Sequence, residues 1–168
     1  MLINHSIDAV YDKNSKVLIL GTMPSVKSRE ASFYYAHPKN RFWKTLSKVY
    51  DEEINNDINS KKEFLYKHNI ALFDVLKSCD IDGSSDSSIK NPIPNDLSDI
   101  LNNSQVKYIF TTGKKAYNLY MKLIYPNTLI EAIYLPSTSP ANFPKGIDEL
   151  LFIEYSKIKE LCEKDNYN

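Results

Sequence analysis

The sequence is poor in residues that several large classes of protein require. It has only two cysteines, Cys79 and Cys162, which are too few for a disulfide framework or a four-cysteine metal site. Cys162 continues an apolar helical stripe and Cys79 follows a strand-like run, so we expect both to be reduced core residues. No run approaches the ~20 apolar residues that span a bilayer. No basic stretch followed by an apolar one marks a signal peptide at the N-terminus. These absences predict a cytoplasmic protein that does not contact a membrane.

Glycine is also scarce, with four in 168 residues. The segment after the first apolar run, residues 21–25, reads Gly-Thr-Met-Pro-Ser. It lacks the Gly-x-Gly-x-x-Gly turn of a dinucleotide-binding oxidoreductase, and the chain has no Walker phosphate loop. The Gly-x-Ser-x-Gly elbow of a Ser-His-Asp hydrolase is absent as well. Because no clustered metal ligands stand out either, the sequence predicts neither a cofactor nor a metal.

The chain carries no excess of either charge, since 21 Lys and Arg balance 21 Asp and Glu. A nucleic-acid-binding domain usually shows excess positive charge, so a DNA-binding face here would need uneven placement. Residues 26–48 hold six basic side chains against one acid, and residues 107–122 hold four lysines and no acid. Such runs are either solvated faces or the electrostatic part of a nucleic-acid surface.

The sequence does contain a regular alternation of strand-like and helix-like segments. Its apolar runs are nearly continuous, as in parallel strands covered on both faces; they are residues 17–20, 70–73, 106–110 and 130–135. Helical spacing occurs in residues 42–50, 97–101 (after Asn95 as N-cap), 116–123 and 147–162. The predicted fold class is α/β, a three-layer α/β/α sandwich with a central four-stranded parallel sheet. We expect one domain over residues 1–168.

The segments that follow the four predicted strands share an unusual composition. Ligands of open parallel sheets bind at the carboxyl ends of the strands. Glycine, proline, hydroxyl, aromatic and basic residues concentrate there, in residues 21–43, 74–88, 111–115 and 135–144. We therefore predict that these loops converge on one edge of the sheet and form a groove suited to nucleic acid.

These segments resemble the uracil-DNA glycosylase superfamily. Residues 21–25 stand where its first motif has a glycine, two variable residues and a proline, and residues 135–142 (Leu-Pro-Ser-Thr-Ser-Pro-Ala-Asn) resemble its second motif. Residues 36–43 (Ala-His-Pro-Lys-Asn-Arg-Phe-Trp) are similar to a stretch of the mismatch-specific uracil-DNA glycosylases. These three segments, together with residues 73–76, 83–86 and 91–96, most resemble the hypoxanthine-DNA glycosylase branch.

The resemblance implies a uracil-DNA glycosylase-like fold and a monofunctional DNA glycosylase of base excision repair. Such an enzyme flips a deaminated base, here hypoxanthine in deoxyinosine first, and hydrolyses its N-glycosidic bond to leave an abasic site. The expected partner is double-stranded DNA containing a deaminated base, with single-stranded DNA as an alternative, bound by a monomer associated with the nucleoid. Alternative functions are a mismatch-specific uracil-DNA glycosylase and a non-catalytic protein that binds damaged DNA.

Two positions depart from the wider superfamily. Met23 stands where many relatives have an Asp or Asn that holds the attacking water, and Leu135 stands where many have a histidine. Neither side chain can hold a water or hydrogen-bond a leaving base, so uracil excision by the standard route is not expected. The hypoxanthine branch shares these changes and relies on the asparagine after His-Pro, which is Asn40 here.

The candidate site residues fall into three groups by expected role. The catalytic candidates are Asn40, His37 and Asp74; the base-pocket candidates are Gly21, Thr22, Met23, Pro24, Tyr34 and Tyr35; the DNA-contact candidates are Ser25, Lys114, Ser137, Thr138, Ser139, Pro140, Ala141, Asn142 and Phe143. Several have a structural alternative: Asn40 and Asp74 as caps, His37 as a turn element, Met23 and the tyrosines as core or rim residues, and residues 140–144 as a plain proline-rich loop. His5 and His68 lie outside any motif and are interpreted as surface residues.

Overall fold

A computed structural model describes residues 1–83 and 85–164 of the chain. Ser84, part of the predicted rim segment 74–88, and residues 165–168 lie outside the described residues. The elements in chain order are β1 (Leu2–Asn4), β2 (Val17–Gly21), α1 (Val26–Ala31), α2 (Phe42–Tyr50), α3 (Ile58–Lys67), β3 (Ile70–Asp74), β4 (Leu76–Asp80), a 3₁₀ turn (Asp86–Ser88), β5 (Lys90–Pro94), α4 (Ser98–Asn102), β6 (Tyr108–Thr112), α5 (Lys114–Leu123), α6 (Tyr125–Thr128), β7 (Ala132–Leu135) and α7 (Ile147–Lys164).

The centre of the fold is a parallel sheet with the strand order β3-β2-β6-β7. Along the central strand β2, alternate residues face opposite sides of the sheet: Val17 and Ile19 belong to one apolar core, whereas Leu18 and Leu20 belong to the other. Helices α2 and α7 contribute to the first core, and α4 and α5 to the second. This arrangement confirms the predicted three-layer α/β class.

The register of the sheet brings the carboxyl ends of its strands to one edge. Gly21, the last residue of β2, pairs with Asp74, the last residue of β3. Thr112, which ends β6, pairs with Leu135, which ends β7. The loops that leave these four strands therefore begin side by side.

A second sheet, which the sequence analysis missed, contains three antiparallel strands in the order β1-β4-β5. Its strand β5 carries Pro92 and Pro94 and is largely exposed, and β1 has only three residues. Such strands leave no continuous apolar run, so their pairing is not visible in the hydrophobic pattern. Helices α1, α3 and α6 were also not predicted.

The prediction that Asn95 caps a helix is wrong. Helix α4 begins at Ser98 with Leu97 as N-cap, and the carboxylate of Asp96 accepts hydrogen bonds from the Ser98 amide (2.9 Å) and hydroxyl (2.7 Å). The Asn95 side chain instead donates to the carbonyl oxygens of Asp74 (2.9 Å) and Leu76 (3.0 Å). It thereby stabilises the bend at which the chain passes from one sheet to the other.

The interpretation of His5 and His68 as surface residues is also wrong. Their side chains are only 5% and 19% exposed, and each lies next to a carboxylate: Asp74 for His5 and Glu52 for His68. Cys79 and Cys162 are both free and buried, as predicted. In the described part of the chain, no helix is long and apolar enough to cross a membrane.

Candidate active site

A cleft of about 720 Å³ lies at the carboxyl edge of the parallel sheet, a volume within the range of small-molecule sites. Its walls are formed by the loops after β2, β4 and β7 and by the last residues of β3 and β6, Asp74 and Thr112. The structure thus brings together four segments that are far apart in the sequence, as the analysis of strand ends predicted. A separate cavity of about 600 Å³, bordered by α4 and α6, contains none of the predicted site residues.

Most of the predicted site residues line this cleft; they are Gly21, Thr22, Met23, Pro24, Ser25, Tyr34, Tyr35, His37, Asn40, Asp74, Ser137, Thr138, Ser139, Pro140 and Ala141. Three do not. Lys114 is exposed at the start of α5, Phe143 is 71% exposed beyond the cleft, and Asn142 lies between Phe143 and the lining residues.

Gly21 and Asp74 lie close together at the cleft. A β-carbon on Gly21 would lie 2.6 Å from Asp74 Oδ1 and 3.3 Å from the Tyr35 hydroxyl. The other carboxylate oxygen, Oδ2, is 2.8 Å from Nε2 of His5. Asp74 is 3% exposed, and its carboxylate is held through Oδ2 while the residue borders the cleft.

The two tyrosines differ in what they offer to a ligand. Tyr34 is 2% exposed, and its hydroxyl donates to the Asp8 carbonyl at 2.9 Å, so it forms a fixed wall. Tyr35 has a left-handed backbone (φ 53°), and its ring stacks on Phe42 with centroids 3.8 Å apart. Burial, together with the nearby Asp74 carboxylate, raises the pKa of both tyrosines, which keeps their hydroxyls protonated.

Asn40 lies at the turn that leads into α2. Its Oδ1 accepts a hydrogen bond from the Phe42 amide at 2.9 Å, and its own amide donates to the His37 carbonyl at 2.9 Å. The N-cap residue by backbone geometry is Arg41, which makes no side-chain cap. Asn40 therefore performs the capping bond and borders the cleft at once. Its Nδ2 group donates to no residue of the described chain and remains available to a ligand.

His37 stabilises the same turn. Its Nδ1 accepts a hydrogen bond from the Lys39 amide at 3.0 Å, which fits the alternative interpretation of His37 as a turn element. That bond requires Nδ1 to be unprotonated, so the ring proton of the neutral form is on Nε2.

Comparison with known proteins identifies the family. The model of the uracil DNA glycosylase superfamily matches residues 9–153. The chain belongs to this superfamily. Its role is that of a DNA glycosylase, a hydrolase that acts on N-glycosyl bonds.

This glycosylase is similar to two archaeal proteins named hypoxanthine DNA glycosylase. The one from Methanosarcina acetivorans is 34% identical over 145 residues, which cover 84% of this chain and 89% of that protein. The one from Methanosarcina barkeri is 32% identical over 109 residues, 64% of this chain and 69% of that protein. A solution NMR structure from Methanosarcina acetivorans, described as a candidate uracil DNA glycosylase, aligns with a TM-score of 0.76 at 30% identity and covers 95% of this chain and 99% of that one.

The loop after β7 of the glycosylase is held in shape by its own polar groups. Ser137 Oγ accepts from the Ser139 amide (3.1 Å), and Ser139 Oγ accepts from the Ala141 amide (3.2 Å). The Asn142 side chain donates to the Ser137 carbonyl (2.9 Å) and is thus used within the loop. Arg41 connects this loop to α2, since its amide donates to the Thr138 carbonyl (3.0 Å) and its guanidinium to the Asn142 carbonyl (3.2 Å).

The two departures from the wider superfamily have different locations. Met23 lines the cleft and packs against the second apolar core. Leu135 is completely buried in the apolar core and does not line the cleft. A leucine here therefore contributes to packing and leaves the polar chemistry of the glycosylase to other side chains.

Several lining residues of the glycosylase were missed as site residues; they are Val26, Lys27, Ser28, Ile81, Asp82, Ser85, Asp86 and Thr112. Thr112 and the residues near Asp86 belong to segments that follow predicted strands, so a stricter use of the strand-end rule would have included them. The lining carries the carboxylates of Asp74, Asp82 and Asp86 against one lysine, Lys27. The cleft itself is thus not basic, and attraction of the DNA backbone must come from the surface around it.

Proposed function

We propose that this glycosylase removes hypoxanthine from DNA, acting as a monomer on deoxyinosine nucleotides everted from the double helix. The observation that carries the proposal is the cleft at the sheet edge, where Asn40, Asp74 and Tyr35 meet the loop after β7. Two relatives that bear the name hypoxanthine DNA glycosylase support the choice of base. The thioether of Met23, in place of a group that could hold a water, argues against the standard route of uracil excision.

The everted base would enter between Tyr35 and the end of β2. One face of the Tyr35 ring is covered by Phe42, so only the other face is available to a base. Stacking on an aromatic side chain contributes roughly 1–3 kcal/mol per base. Main-chain N–H groups around Thr22 and Met23 would bond the base oxygen in the manner of an oxyanion hole. Eversion costs a few kcal/mol and is easiest at a mismatch such as hypoxanthine opposite thymine.

Hydrolysis then needs a water behind C1′ and stabilisation of an oxocarbenium-like sugar. The bond between C1′ and N9 breaks, and its electron pair leaves with the base. The water oxygen bonds to C1′, one water proton passes to the Asp74 carboxylate, and hypoxanthine takes a proton from solvent as it departs. Asn40 Nδ2 is the donor that would orient the water or the base, since an amide does so without titrating. His37 would hold the turn that carries Asn40.

The DNA backbone would be held by hydroxyl and amide groups, which fix register without reading sequence. Ser25, Ser137 and Ser139 border the cleft, and Thr138 supports them from a buried position, being 2% exposed. Lys114 at the start of α5 would contact a phosphate, which offsets the unfavourable placement of a lysine at a helix N-terminus.

The loop that leaves the cleft would fill the gap in the base stack. Pro140, Ala141 and Asn142 carry the chain outward to Phe143, which is 71% exposed. An aromatic ring at that position would replace the everted base and delay its return.

Base release from a panel of duplexes tests the proposal. Oligonucleotides with deoxyinosine, deoxyuridine or deoxyxanthosine, and with thymine mismatches, are incubated with excess protein, and abasic sites are quantified by alkaline cleavage. We expect abasic sites at deoxyinosine at a rate well above the other bases. Faster release of uracil from mismatches would favour a mismatch-specific uracil glycosylase, and binding without abasic sites would favour a non-catalytic DNA-binding protein.

The same reactions test whether the enzyme is monofunctional. Lys27 is the one lysine among the described lining residues, and its ammonium lies 3.6 Å from Glu30 on the exposed side of α1. We therefore expect no Schiff base and no strand cleavage before alkali. A covalent adduct trapped by borohydride, and lost in Lys27→Ala, would contradict this expectation.

A further inference from the structure

We infer that His5 is a positioning residue for the catalytic carboxylate of Asp74, an inference that rests on the proposed function. His5 lies outside residues 9–153, the part of the chain that the superfamily model matches. Even so, its Nε2 is 2.8 Å from Asp74 Oδ2, and both side chains are 5% exposed. Burial of two polar side chains costs desolvation free energy, which a histidine on the surface would not lose.

The second sheet places His5 at this position. Strand β1 pairs with β4, and the His5 amide directly after β1 donates to the Lys77 carbonyl at 2.7 Å. The imidazole then packs edge-on against Phe73, with centroids 5.0 Å apart, and lies 6.3 Å from the Tyr34 ring. Backbone and side chain are therefore both fixed, so the ring can determine the orientation of its partner.

The two oxygens of Asp74 have different surroundings. Oδ2 is bonded to His5, whereas Oδ1 faces the glycine at the end of β2. In this role the Nε2–H group of His5 donates to Oδ2. It also fixes the side-chain rotamer, so that Oδ1 is left to take the water proton. His5 does not touch the substrate and acts through Asp74.

Variants at position 5 separate positioning from simple packing. In His5→Leu the donor is lost, and we expect single-turnover base release about 10- to 100-fold slower, the range for a hydrogen bond to a charged group. His5→Gln carries an N–H at nearly the place of Nε2 and should restore most of the rate. His5→Asn is too short to reach Asp74 and should be slow. Affinity for a duplex with a tetrahydrofuran abasic-site analogue should change less than about twofold in all three, because the step affected is bond cleavage.

A double-mutant cycle completes the test. If His5 acts through Asp74, His5→Leu adds no further slowing in an Asp74→Asn background, because residues that act as a unit are not additive. His68→Leu removes a partly buried histidine that pairs with Glu52 away from the cleft, and it should lower thermal stability without changing the rate.

A full rate in His5→Leu or His5→Asn, equal slowing in His5→Gln and His5→Leu, or additive effects in the cycle would overturn the inference. Failure of the proposed function would be recognised separately, since wild-type protein would then release no hypoxanthine. The variants of His5 would then be assayed with the base that wild-type protein does release in the duplex panel. The same criteria would apply to them.

Discussion

The carboxylate of Asp74 occupies the space in which a side chain on Gly21 would begin. An added β-carbon would lie 2.6 Å from Oδ1, closer than real β-carbons approach an oxygen atom. Gly21 is the last residue of β2 and has no positive φ, so the glycine is required here by the close approach of two strand ends and not by a turn. The first motif of the superfamily thus has a packing explanation in this chain.

Gly21→Ala should therefore reduce catalysis more than stability. The new methyl group would displace Oδ1 and the Tyr35 hydroxyl, which lies 3.3 Å from the same point. We expect base release to fall by about 100-fold, since small misplacements of reacting groups have effects of this size. Single-turnover rates on a deoxyinosine duplex would measure the change, and the melting temperature would show that the variant is folded.

The matched control for this substitution is Gly146→Ala. Gly146 has a φ of 79° and no atom within 4 Å of an added β-carbon, so alanine there introduces backbone strain of about 1 kcal/mol without touching the cleft. A Gly21→Ala rate equal to that of Gly146→Ala would show that the contact with Asp74 has no catalytic importance.

Asn40 combines a helix-capping oxygen with an unused amide, and two substitutions distinguish these roles. Asn40→Asp retains an oxygen for the Phe42 amide, which Oδ1 now bonds at 2.9 Å, but loses the Nδ2 donor. Asn40→Ala loses both and should also destabilise the fold by about 1 kcal/mol, the usual cost of a lost cap. We expect both variants to lose base release and only alanine to lower the urea midpoint of unfolding. Full activity in Asn40→Asp would assign Asn40 to capping alone.

The parts of the fold that burial determines were predictable from the sequence. All five residues of β2 are buried, and a strand buried on both faces leaves a continuous apolar run. Because parallel strands end at a common edge, the segments of the cleft followed from the strands themselves. The prediction of the cleft therefore needed only the positions of the strands and the residues after them.

The parts that depend on long-range pairing were not predictable in the same way. His5 and Asp74 are 69 positions apart, and nothing in the sequence around either residue indicates the other. Strand β5, with its prolines and exposed side chains, is a strand only because β4 lies beside it. The second sheet and the histidine that it places were missed for the same physical reason, since both exist only through contacts between distant segments.

His68 should make the stability of the protein depend on pH near neutrality. Burial lowers the pKa of His68, and Glu52 only partly compensates. The folded protein therefore binds this proton less readily than the unfolded chain, whose histidine titrates near about pH 6.5. The free energy of unfolding should fall as the pH decreases through that value, because the unfolded state then takes up more protons.

The variant His68→Gln isolates this contribution, because glutamine does not titrate. Urea unfolding at a series of pH values between about 7.5 and 5 should give a shallower slope in the variant than in wild type. The pKa of Glu52 is lowered, chiefly by its hydrogen bond from Lys67, so its own contribution is lost only at more acidic pH, below about 4.3. Equal slopes for the two proteins near neutrality would refute the assignment to His68.

Phe143 should matter for eversion of the base and not for folding or bond cleavage. Its side chain is 71% exposed, and the loop behind it is held by Arg41 and by the Asn142 side chain. Phe143→Ala should leave the melting temperature unchanged, since exposed positions away from structural contacts change stability by less than about 0.5 kcal/mol. Base release from a duplex should slow several-fold because the vacated stack is no longer filled, whereas release from single-stranded DNA, which has no stack to fill, should keep its wild-type rate.

Phe152→Ala, on a helix and 41% exposed, controls for the loss of an exposed aromatic ring. Equal slowing on both substrates would instead place Phe143 in direct contact with the scissile nucleotide.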